Sequence, residues 1–215
     1  DLLVKAWTTD ALDYHGKHWK VTFPAVRPRT YQSPHPPLAR ACISEESVMA
    51  MARIGRTVLF RGNSVEALRR AVVLYRDTML SSGFSEEEVQ TALDKSWVWR
   101  EAHVAETDDQ ALEEFIPAYE RAHGYMTDVR DRWNPPEHRM SRQGPPLPRS
   151  ASGPTPDPAA NEVLIGSPKR VLEQVAMLRD AGACNLMLTN RGLMNVEKTK
   201  LSMKLLSEQV IPAFK

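Results

Sequence analysis

The sequence has few cysteines, no excess of charge of either sign and no long apolar run, and each shortage removes a class of function. Only two cysteines occur among 215 residues, Cys42 and Cys184, far apart and with no metal-type partner nearby. They read as two reduced, buried thiols of a cytoplasmic protein, not as a disulfide framework or a zinc site. Lys and Arg number 28 against 27 Asp and Glu, a net charge of +1. That balance offers no basic face to a nucleic-acid backbone, so no nucleic-acid partner is expected. No apolar run approaches the ~20 residues a membrane helix needs, so no membrane partner is expected either. A Walker loop, a GxGxxG turn, a nucleophile elbow and a zinc pattern are all missing, and no metal is expected.

What remains is ordinary globular composition, 42% apolar and 26% charged, in a chain long enough to bury one large core. A rhythm of apolar runs and helical patterns begins at residue 38. LARACIS (38–44), TVLFRG (57–62), SWVWREAHVAE (96–106) and CNLMLT (184–189) read as strands. Helices follow them, with stops at Gly55, Gly83 and Gly182. Asn63 with Glu66, Ser85 with Glu88, and Thr107 with Gln110 have capping-box spacing. The Thr107 helix is expected to run to about Gly124 with a kink at Pro117. Ser167-Pro168 opens another helix, and the last spans roughly 196–210. Strands alternating with helices indicate an α/β fold with a parallel sheet.

The whole chain is read as a single domain with four stretches. Residues 1–37 form a helix and a hairpin-like excursion, and 38–130 carry βα units. Residues 131–166, dense in Pro, Gly and Ser, form an insertion or mobile lid loop with no packed helix or central strand. Residues 167–215 close with helix, strand, helix. The chain opens on Asp1 and runs into LLVKAWTTDAL as if an element were already under way.

Two places carry chemistry. Ser44-Glu45-Glu46-Ser47 stands at the C-terminal end of the first parallel strand, where such folds bind ligands. The two hydroxyls and the free first-turn N–H groups form either a phosphate cradle or a plain helix cap. The acidic pair suits the cap, because carboxylates complement the helix dipole and repel phosphate. His103 shares a strand face with Trp99 and Glu101, opposite Arg100. Facing inward it is a general acid or base; facing outward it is a packing residue. Arg61, after TVLF, either reaches a ligand from the end of the second strand or is an exposed loop charge, and the loop charge is the leading reading; His35, set among prolines, reads as loop structure.

QSPHPPLARACISEESVMAMARIGRTVLF resembles the middle of the bacterial luciferase-like flavin-dependent monooxygenases. AWTTDALDYHGKHW resembles the preceding helix and hairpin of that family. HVAETDDQA and LIGSPKRVLEQVAMLRDAGACNLMLT resemble its later units, and SMKLLSEQVIPAF its C-terminus. The resemblance runs over essentially the whole chain. It implies a TIM-barrel-type (β/α)8 fold, of which this chain is the C-terminal half, the last four βα units plus the Pro-rich insertion. It implies a monooxygenase that uses reduced FMN, or the deazaflavin F420, with O2 to oxygenate a small organic substrate. A separate flavin reductase supplies the reduced flavin, and the full-length enzyme is a homodimer. Ser44 and Ser47 then contact the flavin phosphate and His103 lies by the substrate, although Glu101 replaces the arginine some relatives carry. A non-catalytic partner subunit, or a flavin-binding module, is the alternative. A third reading, an unrelated phosphate-binding barrel, places the anion at Gly166-Ser167 and Thr189-Asn190-Arg191.

Overall fold

The computed structural model describes residues 2–61, 64–135, 137, 163–190 and 194–214. They fall into two compact units, Asp1–Leu38 and Ala39–Lys215.

The first unit holds helix α1 (Leu2–Thr8) and an antiparallel hairpin of β1 (Leu12–His15) and β2 (Lys20–Phe23). Gly16 opens its loop and donates its N–H to the Trp19 carbonyl at 2.8 Å. The hairpin-like excursion read from the sequence is therefore a true hairpin. His35 is loop structure, its Nδ1 2.7 Å from the Pro36 carbonyl.

The second unit is a parallel sheet of five strands: β3 (Ala39–Cys42), β4 (Thr57–Phe60), β5 (Trp97–Val104), β6 (Val163–Gly166) and β7 (Asn185–Thr189). Its helices are α2 (Glu45–Ala52), α3 (Val65–Ser81), α4 (Glu86–Asp94), α5 (Asp108–Trp133), α6 (Pro168–Asp180) and α7 (Val196–Leu205). A π-helical turn (Leu206–Val210) and a 3-10 turn (Ile211–Phe214) finish the chain. Strand β5 is the hub. Trp97 and Val98 pair with β4 and β7 at once, and Glu101 pairs with β6 and β7 at once. One edge of β5 therefore takes β7, while the other is shared end to end by β4 and β6. No closed barrel forms among the described residues.

The two faces of the sheet are packed separately. Val58, Phe60, Val98, Ala102, Val104 and Leu164 join Leu68, Tyr75 and Met79 of α3, Val89 of α4, and Val171 and Leu178 of α6 in the main core. Val163 and Ile165 turn the other way and pack with Ala111, Leu112, Phe115 and Ile116 of α5 in a second, smaller cluster. Four consecutive buried residues in β6 are what a strand covered on both faces requires.

Several sequence expectations need correction. The insertion placed at 131–166 is trimmed at both ends: Asp131–Trp133 complete α5, and Val163–Gly166 is a fully buried strand. The lid-loop reading for the rest falls on 136 and 138–162, outside the described residues. Helix α5 does not stop at Gly124, because a glycine there faces open space and costs only about 1 kcal/mol. The α3 cap is Ser64, whose hydroxyl accepts from Ala67 N–H, while Asn63 lies outside the described residues. Cys42 is buried as expected, but Cys184 is exposed.

Candidate functional site

The serine turn is built as a helix cap. Ser44 has extended φ/ψ, and its hydroxyl accepts the Ser47 N–H at 3.2 Å. The Ser47 hydroxyl accepts the Ser44 N–H at 3.2 Å and donates to the Ser44 carbonyl at 2.7 Å. This is a reciprocal capping box with serine in place of the usual glutamate. Ser44 is exposed, and its own hydroxyl hydrogen has no acceptor among the described residues. The N–H groups of Glu45 and Glu46 belong to the first turn and need no partner within the helix.

Beside this cap lies a cavity of about 480 Å³ at the C-terminal ends of β3 and β4. Its polar lining is Ser44, Glu45, Arg61, Ser64 and Arg70, and its apolar lining includes Cys42, Val48, Phe60 and Leu74. Two helix N-termini, α2 and α3, therefore open on one cavity whose lining includes two arginines. That donor set fits a dianionic phosphate, and among the described residues Glu45 is the single opposing charge in the lining. Arg61 donates its peptide N–H to Cys42 (3.2 Å), and its guanidinium lies 4.9 Å from the Trp99 ring centre. Trp99 is on β5, two rungs from His103 on the same face. Arg70 is 3.6 Å from Glu66, one turn back on α3.

His103 is buried against α5, with 1% of its side chain exposed. Its Nε2 is 2.8 Å from Glu114 Oε2. The other Glu114 oxygen accepts from the Gln110 amide at 3.1 Å and lies 3.3 Å from Lys198 Nζ. The imidazole stacks on Phe115, with ring centres 6.4 Å apart. Burial pushes the His103 pKa down, and the Glu114 contact only partly opposes it. Burial would raise Glu114, but hydrogen bonds from Gln110, His103 and Lys198 hold it below the usual carboxylate value. At neutral pH the pair is therefore a neutral imidazole donating to a carboxylate. Nδ1 is buried and has no partner among the described residues.

Gly166 ends β6 with φ +145°, and a Cβ there would meet Arg170 Cδ at 2.5 Å and Asp108 Oδ1 at 2.9 Å. The Asp108 carboxylate accepts the Ser167 N–H at 2.7 Å. A carboxylate of the chain thus already occupies the position that the third reading gives to a phosphate, and Arg191 lies outside the described residues. Gly166→Ala is expected to destabilise the protein by about 2 kcal/mol, from the positive φ plus the displaced Asp108. A thermal melt indistinguishable from wild type would remove that reading of the turn.

The structure brings Ser44 and Ser47 together and sets His103 on another strand, beneath α5 and outside the lining of the serine cavity. Sequence reasoning missed Ser64, Arg70, Gln110, Glu114 and Lys198. Gln110 and Glu114 share a helix face by their spacing of four, a visible signal, but their strand partner was not visible. Among the described residues no group of three or more His, Cys, Asp or Glu could hold a metal ion, and no helix is long and apolar enough to cross a membrane.

A profile of the luciferase-like monooxygenases matches residues 1–184. The chain belongs to this family. The match stops short of β7 and α7, so the likeness seen in SMKLLSEQVIPAF lies beyond it. No curated protein sequence matches the chain. Luciferase-like folds recur among solved structures. A monooxygenase from Streptomyces bottropensis superposes with TM-score 0.71 at 22% identity, over 99% of this chain and 59% of its own. The coenzyme F420-dependent tetrahydromethanopterin reductase of Methanopyrus kandleri gives 0.66 at 15%, over 99% and 61%. The oxygenating constituent of 3,6-diketocamphane monooxygenase from Pseudomonas putida, solved with FMN, gives 0.60 at 18%, over 98% and 61%. At such identities the likeness shows the fold: α/β, of the luciferase-like TIM-barrel type. The chain spans about three fifths of the length of each.

Proposed function

We propose that this luciferase-like chain supplies the later βα units, the C-terminal half, of a monooxygenase that uses reduced FMN and O2 to oxygenate a small organic substrate. The observation that carries it is the cavity between the α2 and α3 N-termini, in a chain whose family is the luciferase-like monooxygenases. Ser44 and Ser47 shape the turn, the free N–H groups of α2 point at the phosphate, and Arg61, Ser64 and Arg70 complete its shell. A bound reduced flavin supplies the electrons for O2 activation. The chain's own residues hold the phosphate, orient the ring and keep water from it. In this reading His103, buried beneath α5, is assigned the role of base as a neutral imidazole. A flavin reductase provides the reduced cofactor, and two copies assemble in the working enzyme. F420 carries a monoanionic phosphodiester instead of a terminal dianionic phosphate, so a donor set of this kind favours FMN and leaves F420 as the second candidate.

Calorimetric titration with FMN, reduced FMN, F420 and riboflavin tests this. Ser44→Ala combined with Arg61→Ala should weaken FMN roughly ten- to hundredfold, the worth of one or two charge-assisted hydrogen bonds. Riboflavin lacks the phosphate, so its affinity should be unchanged by the pair. Equal losses for both ligands, or no flavin binding at all, would reduce the serine turn to a helix cap. The chain would then be a partner module.

A further inference from the structure

We propose that Glu114 is a positioning residue, which holds neutral His103 with its proton on Nε2 and so presents Nδ1 as the proton acceptor of the site. The inference rests on the placement of His103 in the preceding reading and adds the group that makes it a base.

Three observations carry it. First, the two ring nitrogens project from opposite sides of the imidazole, so a contact at Nε2 fixes what Nδ1 is. Nε2 meets a carboxylate oxygen at 2.8 Å, and an ionised carboxylate only accepts. The proton is therefore on Nε2, and Nδ1 keeps a bare lone pair. Second, that lone pair is buried without a partner among the described residues, which is costly in a folded protein unless a ligand or water satisfies it. A residue kept only for packing would not leave its acceptor orphaned. Third, Glu114 is itself tied by Gln110 and Lys198, so its direction is set before any ligand arrives. Phe115 fixes the ring plane.

The proton balance is simple. Nδ1 takes a proton from an O–H of the bound reactant, whose oxygen keeps the electron pair. The imidazolium so formed donates from both nitrogens, with Nδ1–H toward the reactant oxygen and Nε2–H held on the Glu114 carboxylate. Return of the proton to the product restores the neutral ring. Among the described residues, charged groups reach the imidazole from two elements: Glu114 of α5, which favours the imidazolium, and Lys198 of α7, which opposes it.

The experiment is 15N NMR of the histidine rings in the full chain, followed through pH, for wild type, Glu114→Gln, Glu114→Leu and Lys198→Met. The wild type should show His103 as a single Nε2–H tautomer. Glu114→Gln keeps the shape and should move the His103 midpoint down, and Lys198→Met should move it up. Glu114→Leu should yield mixed tautomers. A wild-type Nδ1–H tautomer, or a midpoint that Glu114→Gln leaves in place, overturns the proposal. The second readout is the pH profile of O2 consumption by the protein loaded with reduced FMN. Its acid limb should follow the NMR midpoint and shift to lower pH in Glu114→Gln. An acid limb that stays put while the midpoint moves also overturns it. Failure of flavin to bind sinks the monooxygenase reading and leaves the tautomer result to decide the role of Glu114.

Discussion

Leu68→Ala should lower the stability of the protein by about 3 kcal/mol, within the 2–5 kcal/mol range of buried leucine truncations. Leu68 is 0% exposed in α3 and sits in the main core with Val58, Phe60 and Leu178. Truncation removes the transfer energy of the side chain and leaves a void between helix and sheet. The close packing of the interior prevents the neighbours from filling it. A control on the same helix separates burial from helix propensity. Val73 is 51% exposed, so Val73→Ala should stay within about 0.5 kcal/mol of wild type. Urea unfolding with a common slope reads both. A Leu68→Ala midpoint that matches that of Val73→Ala would mean that α3 does not seal this core.

Gln174→Leu should cost about 2–4 kcal/mol, although it replaces a polar side chain with an apolar one in a buried place. Gln174 is buried in α6, and its amide acts as a false strand against β6. Its oxygen accepts the Ile165 N–H at 3.0 Å, and its NH2 donates to the Ile165 carbonyl at 3.2 Å. β6 pairs with β5 along its other edge, through Glu101 to Val104. Leucine would leave both Ile165 groups buried and unbonded, at about 1–3 kcal/mol each. Hydrogen exchange adds a local readout: the Ile165 amide should lose protection far more than the amides of β3 and β4. Unchanged protection there would show that water or a relaxed backbone replaces the glutamine.

Both residues illustrate what sequence alone could and could not give. Helix starts were legible wherever the cap is local. Ser85 with Glu88 and Ser167 with Pro168 form as the spacing predicts. Thr107 caps α5 as expected, but only half of the predicted box forms, because Gln110 turns to Glu114 instead. β6 was missed because four apolar residues after a Pro-rich stretch give no period to count. What makes them a strand is the edge of β5 on one side and Gln174 on the other. The serine turn was legible as a cap and as a strand-end position. Arg70 was not, since it reaches the same cavity only through the packing of α3 beside α2. His103 was picked out by alternation along β5, but its partner lies on a helix whose direction only the fold determines.

The hub position of β5 bears on how the protein is made. One edge of this strand is closed by β4, already synthesised, and then by β6; the other waits for β7. Some 80 residues separate Val104 from Asn185, roughly 4–16 seconds of translation at ordinary rates. Throughout that interval the Trp97–Glu101 edge is a bare ladder of amides and carbonyls beside a tryptophan-rich surface. Such an edge is a template for pairing with another nascent chain. The protein is therefore expected to depend on chaperones during synthesis, and slowing translation should raise the aggregated fraction.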